Sequence, residues 1–396
     1  MISGTKANQV VDEALEEMNN DFDFHDFPEA EYQLRWQRAQ EKMREFGIDA
    51  LWISDPNNYR YFTGHCSPTL NRPTFFIIPL EGSPVIIAAT YGAHTAEQMT
   101  WVEDIRAYKP PATAQVMQEV FEGVGLGAAV IGTETHDRFF GGFRPALPYG
   151  EFTRLEEMMP KAHFRDASEL LYGLRMIKTP AEIEAYREAC AITGQAYEQL
   201  FAQLIEGTTE LEVARLLLNA MMAEGADYPS QGRAGPCAFI IADATRPLGQ
   251  VHAPVEKPLA RGDLLHIDAG AVYKGYCADF GRSGVVGDPN AAQRAHWQSM
   301  QEKREAGLAA VRAGNRLGDI PVHWHGVGLN GVEPPFIGNH DDMEMVPGML
   351  LAVEELSYAD NGETYHIEEN VVVTKDGYDL LTTCSPELYR IALKEE

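Results

Sequence analysis

Gly262-Asp263-Leu264-Leu265-His266-Ile267-Asp268-Ala269-Gly270-Ala271-Val272-Tyr273-Lys274-Gly275-Tyr276-Cys277-Ala278-Asp279-Phe280-Gly281-Arg282 has the pattern of a β-hairpin. Apolar, β-prone residues flank Lys274-Gly275, a pair suited to a tight turn. A regular hairpin about that turn sets Asp268 and Asp279 opposite each other on one face, with Cβ atoms roughly 4.5–5.5 Å apart. Two bare carboxylates at that range repel, and one is forced to take a proton. A divalent cation removes the conflict, and two cations about 3.5–4 Å apart suit such a pair of acids. Two solvated aspartates on an exposed hairpin would share this local pattern, so the choice rests on the sequence downstream.

Downstream, His323-Trp324-His325-Gly326-Val327-Gly328 sets histidines beside glycines, where the backbone can come close and a ring can point into a pocket. His323 and His325 compete on spacing, and the glycine context favours His325. Pro347-Gly348-Met349-Leu350-Leu351-Ala352-Val353-Glu354 is a buried-strand pattern that ends on acids, which is costly unless the acid is paired or metal-bound. His366-Ile367-Glu368-Glu369-Asn370-Val371-Val372-Val373 embeds acids in a second apolar strand. Two aspartates, one histidine and two glutamates form a carboxylate-rich set with a single nitrogen donor. That donor set favours Mn²⁺, Fe²⁺, Co²⁺ or Zn²⁺ in a two-metal site.

The 396 residues, 45% of them hydrophobic, suffice for one large or two ordinary domains. A formal charge of −27 disfavours nucleic acid and anionic membrane surfaces as partners. Five scattered cysteines, Cys66, Cys190, Cys237, Cys277 and Cys384, suggest reduced thiols and a cytoplasmic setting. No signal-peptide pattern and no membrane-length apolar run is visible. Residues 29–47 read as an amphipathic helix ended by Gly47, and 49–54 as a buried strand closed by Asp55-Pro56-Asn57-Asn58. Thr74–Pro79 and Pro84–Ala89 read as a hairpin, and Ala128–Gly132 as another strand. Together these predict a small α/β domain. Its histidines His65, His94 and His136 have no nearby acidic cluster and read as surface or hydrogen-bonded side chains. Thr179-Pro180 is a helix start, with Thr179 as N-cap. Helices are expected to about Ile205, over Thr209 to about Glu224, and over about Ala291–Ala313. The organisation expected is therefore an extension over 1–28, an α/β domain over 29–167 and a metal-binding domain over 168–396.

The order Asp268, Asp279, His325, Glu354, Glu368 in these contexts resembles the pita-bread metallopeptidases of family M24, which include methionine aminopeptidase, aminopeptidase P, prolidase and creatinase-like enzymes. Asp-x-Gly-Ala-x-x-x-Gly-Tyr-x-x-Asp-x-x-Arg at 268–282 is its most specific element. Met176-Ile177-Lys178-Thr179-Pro180-Ala181-Glu182-Ile183, Gly207-Thr208-Thr209-Glu210 and Gly348-Met349 before Glu354 are similar too. The resemblance implies an α/β (α+β) fold: a creatinase-type amino-terminal domain, then a curved antiparallel sheet flanked by helices. It implies two divalent ions on Asp268, Asp279, His325, Glu354 and Glu368, bridged through Asp279 and Glu368. It also implies a substrate-facing histidine at His252, a proton-shuttling glutamate at Glu354, a small-molecule or dipeptide substrate and a homodimer.

Several departures bear on activity. Val332 stands where the peptidases carry a second histidine, Glu355 where a proline usually follows the first glutamate ligand, and His366 where an arginine is common. Asp279 and His325 are 46 residues apart, shorter than expected; this is either a true deletion or a missing segment. His266, on the strand of Asp268, is a supporting residue, an alternative ligand or purely structural. Tyr276 and Arg282 either touch substrate or serve packing and a local salt bridge. Glu355 and Glu369 are expected to face solvent or support the ligands. The leading reading is a dinuclear metal-dependent hydrolase of a small amide, an Xaa-Pro dipeptide in the simplest case. The alternative is a non-peptidase of the same fold, resembling dimethylsulfoniopropionate lyase, ectoine hydrolase or creatinase.

Overall fold

The computed structural model describes residues 25–65, 74–109, 113–123, 125–135, 149–227, 237–242 and 254–394. His136 and His252 lie outside them.

The amino-terminal part follows from period-two alternation along short apolar strands. Its elements are α1 (Glu29–Phe46), β1 (Ala50–Ile53), α2 (Pro56–Thr63), β2 (Phe75–Pro79), β3 (Val85–Ala89), α3 (Thr90–Met99), β4 (Asp104–Tyr108), α4 (Thr113–Gly123), β5 (Val130–Thr133), α5 (Tyr149–Met158) and β6 (His163–Asp166). The strands form one mixed sheet in the order β4-β3-β2-β1-β5-β6. Leu51, Ile53, Phe76, Ile78 and Ile86 pack on one face with α1 and α3. Trp52, Phe75, Ile77, Val85 and Ile87 pack on the other with Val120 and Phe121 of α4 and Leu155 of α5. Helices therefore cover both faces.

α2 is a helix where a closing turn was expected. Asp55 caps it by accepting from the Asn57 and Asn58 N–H groups, and Pro56 takes the first helical position, where its missing N–H costs nothing. His65 also departs from expectation. It is buried, both ring nitrogens lack a hydrogen bond among the described residues, and it lies edge-on to Tyr59. Burial lowers its pKa to about 4. His94 is exposed and paired with Glu97.

After β6 come α6 (Ser168–Met176), α7 (Pro180–Gln203) and α8 (Glu210–Ala223). Thr179 with Glu182, and Thr209 with Glu212, form capping boxes at the starts of α7 and α8. Then follow β7 (Cys237–Ala242), β8 (Leu264–Gly270), β9 (Val272–Tyr273), β10 (Tyr276–Cys277), β11 (Phe280–Val286), α9 (Ala291–Ala310), β12 (His323–Gly326), β13 (Glu333–Phe336), β14 (Leu350–Tyr358), β15 (Thr364–Val373), β16 (Tyr378–Leu380) and β17 (Tyr389–Ile391). They make a four-stranded sheet, β17-β11-β8-β7, and a five-stranded antiparallel sheet, β13-β12-β14-β15-β16. The two sheets are bolted where β11 meets β15. There Arg282 donates from Nη1 to the Glu368 carbonyl at 2.7 Å, and the Ser283 hydroxyl reaches the His366 carbonyl at 3.1 Å. One apolar cluster runs from Tyr32 and Leu51 through Tyr186 and Leu200 to Ile267 and Phe280, so the two halves share a core. Among the described residues, no helix is long and apolar enough to cross a membrane.

The hairpin at 264–286 forms, with a register that differs from the expected one. Lys274 and Gly275 both take positive φ, 47° and 84°, as a two-residue hairpin turn demands. Asp227 fixes the turn by accepting from both backbone N–H groups, at 3.1 and 2.8 Å. Tyr273 pairs with Tyr276, and Asp268 pairs with Gly281 rather than with Asp279. The two aspartates are diagonal neighbours, and their carboxyl groups still touch.

Candidate metal centre

Each acid of the centre is placed by a strand. Asp268 stands on β8, and Asp279 lies in the break between β10 and β11. Glu354 on β14 is the direct cross-strand partner of both His323 on β12 and Glu368 on β15. His325 follows two residues after His323, and strand alternation turns both rings to one side. Its Nε2 lies 3.9 Å from Asp279 Oδ2, 3.8 Å from Glu354 Oε1 and 3.7 Å from Glu368 Oε1. Asp268, Asp279, His325, Glu354 and Glu368 therefore converge.

Among the described residues, ligand atoms gather in two triads, each within 4.8 Å: Asp279, His325 and Glu368, and Asp268, His366 and Glu368. Glu368 belongs to both, and Glu354 to neither. His323 donates from Nδ1 to Glu354 Oε1 at 2.6 Å, and His366 donates from Nε2 to Oε2 at 2.9 Å. The triads contain a second imidazole, whereas the sequence reading counted one nitrogen donor.

The electrostatics show why the cluster suits a cation. Burial, with the other acids adding to it, pushes the Asp279 and Glu368 carboxyls well above the usual carboxylate range. Burial raises Asp268 as well. Burial would raise Glu354 too, yet the hydrogen bonds from His323 and His366 hold it well below the usual range. Asp268 Oδ1 is buried without a hydrogen-bond partner among the described residues. Such an atom is expensive unless something positive faces it. Divalent ions fit this donor set, whose carboxylates and imidazoles are ordinary ligands for Mn²⁺, Fe²⁺, Co²⁺ and Zn²⁺.

The remaining sequence candidates are placed as follows. His266 is buried at the side of the cluster, its ring 5.8 Å from that of His366, and burial lowers its pKa to about 3. It belongs to neither triad. Tyr276 is a packing residue whose hydroxyl donates to Glu182 at 2.8 Å. Arg282 is buried in a local salt bridge with Glu369. Glu369 is itself buried, so it does not face solvent, and Glu355 pairs with Lys303. Val332 is 48% exposed, in a loop whose neighbouring Gly331 has its Cβ position 3.3 Å from Asp279 Oδ2.

Two supporting groups were not foreseen. Asn370, two residues after Glu368 on the same face of β15, accepts from the Asp279 N–H at 2.9 Å and donates back to the Asp279 carbonyl. It thus replaces the strand pairing missing at the break, and the Glu368-x-Asn370 alternation was the available signal. The second group is a buried network under the 328–335 loop. Glu333 pairs with Arg175 and, at 3.0 Å, with Lys178. Arg175 also donates to Asn58 at 2.8 Å and to Asn330 at 2.6 Å. Asn57 reaches the same Asn330 at 3.1 Å. Because Asn57 and Asn58 belong to α2, the amino-terminal domain holds the loop beside Asp279.

Two family models match this chain. Metallopeptidase family M24 matches residues 184–324 and 322–375, and the creatinase/prolidase N-terminal domain matches 35–177. The chain belongs to metallopeptidase family M24. The two M24 matches meet at residues 322–324, at the end of the short Asp279-to-His325 interval. An Xaa-Pro dipeptidase of Pyrococcus furiosus is 28% identical over 376 residues, 89% of this chain and 99% of that one. A solved prolidase structure from the same organism is 25% identical with a TM-score of 0.72, covering 87% of this chain and 99% of the other. An Xaa-Pro dipeptidase structure from Bacillus anthracis has a TM-score of 0.78 at 22% identity, covering 91% and 100%. It supports the fold alone. Membership of a metallopeptidase family implies divalent metal ions, and the clustered ligand atoms suit them.

Proposed function

We propose that this M24 enzyme is a dinuclear metal-dependent hydrolase of small peptides, an Xaa-Pro dipeptidase-like enzyme. The observation that carries the reading is the pair of ligand triads sharing Glu368, with Glu354 held between two imidazoles beside them. Asp268, Asp279, His325, Glu354 and Glu368 would hold the ions. When bound, two divalent ions supply Lewis acidity, which lowers the pKa of water and polarises an amide carbonyl. The protein contributes position and a proton site. Asn370 fixes the Asp279 backbone, and the Glu333 network holds the 328–335 loop against Asp279. Glu354, kept ionised by the hydrogen bond from His323, is the proton acceptor that later returns the proton to the leaving amine. His252 is assigned to the substrate-facing position.

The names of the relatives favour peptide cleavage over the lyase, ectoine hydrolase and creatinase alternatives. We further assign Mn²⁺, Fe²⁺, Co²⁺ or Zn²⁺ as the metal, a homodimer, a cytoplasmic location and a domain division at residue 168. The deciding experiment compares Xaa-Pro dipeptides with onium and cyclic-amide compatible solutes, with Mn²⁺ supplied. Dipeptide cleavage is the expected result; turnover of the solutes alone would overturn the reading.

A further inference from the structure

His366 shares a face of β15 with Glu368, and its backbone is fixed to β11. Its N–H donates to Ser283 Oγ at 3.0 Å, and the Ser283 hydroxyl donates to its carbonyl at 3.1 Å. The residue is 2% exposed. It fills space left by a missing side chain, since a Cβ on Gly281 would lie 2.1 Å from Nδ1. Gly281 is the cross-strand partner of Asp268. The imidazole thus occupies the volume beside Asp268 that any other residue at 281 would claim.

The ring's polar engagement is one-sided. Nδ1 is buried without a hydrogen-bond partner among the described residues. Nε2 points into the acids, 2.9 Å from Glu354 Oε2 and 3.6 Å from Glu368 Oε2. Asp268 Oδ1, also buried and unpartnered, lies in the same triad. If His366 served only to hold Glu354, it would duplicate His323, which already binds the other carboxylate oxygen at 2.6 Å. Among the described residues, the Asp268 triad would then be left with carboxylates alone. With its proton on Nδ1, the ring gives up its hydrogen bond to Glu354, which keeps the one from His323, and the free Nε2 lone pair supplies the missing donor without adding negative charge.

We propose that His366 is a direct ligand of the divalent ion held at Asp268, so that each ion has one imidazole and Glu368 is shared. This rests on the two-ion reading above. It adds a nitrogen donor to a set that otherwise suits harder ions, and so shifts the preference from Mn²⁺ toward Co²⁺ and Zn²⁺.

The test is proton NMR of the full chain loaded with Co²⁺ alone, with bound metal counted by mass spectrometry. Each imidazole bound to Co²⁺ gives one hyperfine-shifted, solvent-exchangeable N–H signal. The wild type should hold two Co²⁺ per chain and show two such signals. His366→Gln should show one signal and bind its second Co²⁺ at least ~10-fold more weakly, as loss of even an outer partner of a ligand does. Matching thermal unfolding of the two metal-free proteins would show that the variant folds, and the wild-type signal count needs no variant. Two Co²⁺ with a single signal in the wild type would overturn the assignment of His366 and leave the two-ion reading standing. Fewer than two Co²⁺ per chain would overturn both.

Discussion

Arg282 and Glu369 form a fully buried ion pair, 3.1 Å apart, with side chains 0% and 1% exposed. The pair lies at the seam between the two sheets that carry the acids. Arg282 also donates to the Gly281 and Glu368 carbonyls at 2.8 and 2.7 Å. Its guanidinium therefore sets the spacing of the strands on which Asp268's neighbour and Glu368 stand. Arg304 gives Glu369 a second partner at 2.7 Å.

Breaking this pair from one side should be worse than removing it. Arg282→Met leaves Glu369 buried with only Arg304, and should cost about 3 kcal/mol, the lower end for a broken buried pair. The double variant with Glu369→Leu should recover most of that loss. Denaturant midpoints check both, and an unchanged midpoint for Arg282→Met would refute the role given to the seam.

Metal removal should reverse the pH response of stability. In the metal-free protein the Asp268, Asp279 and Glu368 carboxyls are raised, so the folded state binds more protons than the unfolded one. Their contribution is complete below the ordinary carboxylate pKa and is lost as pH rises through the elevated folded values. Metal binding needs the ionised ligands and strengthens with pH. The gap in melting temperature between loaded and chelated protein should therefore widen from about pH 5 to 8. At a free metal concentration of 100 times Kd it corresponds to about 2.7 kcal/mol. Parallel curves would contradict this account.

Glu333 is expected to matter for stability, although it belongs to neither triad. Arg175 and Lys178 oppose burial and keep its carboxyl below the usual range. Glu333→Ala leaves both cations buried and unpaired, at a cost of roughly 3–5 kcal/mol. The gentler Asn58→Ala should cost about 1–3 kcal/mol and lower kcat/KM by loosening the 328–335 loop. Thermal unfolding and steady-state kinetics together check this, and full activity in Asn58→Ala would separate the loop from catalysis.

By the family resemblance, Val332 is expected to stand where the peptidases keep a histidine, and its side chain offers no hydrogen bond. Losing one such donor typically slows a reaction by about 10²–10³, so the wild type should be a weak Xaa-Pro dipeptidase. The side chain is half exposed, which leaves room for an imidazole. Val332→His should raise kcat with Mn²⁺ supplied. A wild-type turnover already near 10 s⁻¹, about the median for enzymes, would show that the histidine is dispensable in this chain.

Much of the centre was legible because buried acids on apolar strands are rare without a partner. Glu354 and Glu368 stand out for that reason, Asp268 and Asp279 for their places about the hairpin turn, and the four lie together. Symmetry of the aspartates about the turn is a misleading guide to the hairpin register. Positive φ at Lys274 and Gly275 pairs Tyr273 with Tyr276 instead, and Asp268 then faces Gly281. The place of His366 in the cluster depends on Gly281, 85 residues away in sequence, which local pattern does not carry. The α2 helix was missed because Asp55-Pro56 begins a helix as readily as it makes a turn. Burial of His65, and the grip of Arg175 on Asn330, are long-range facts that local pattern does not carry.

The hydrogen bonds from Asn57 and Asn58 to Asn330 and Arg175 have a practical corollary. A random-mutagenesis screen scored by turnover should return hits in the first sixty-odd residues, far from any acid of the centre, and these would look like catalytic defects. Nor can the carboxy-terminal half be expected to work as a minimal enzyme. Excised at residue 168, it would leave behind the asparagines that steady the loop over Asp279 and, with Tyr32 and Leu51, part of the core it shares.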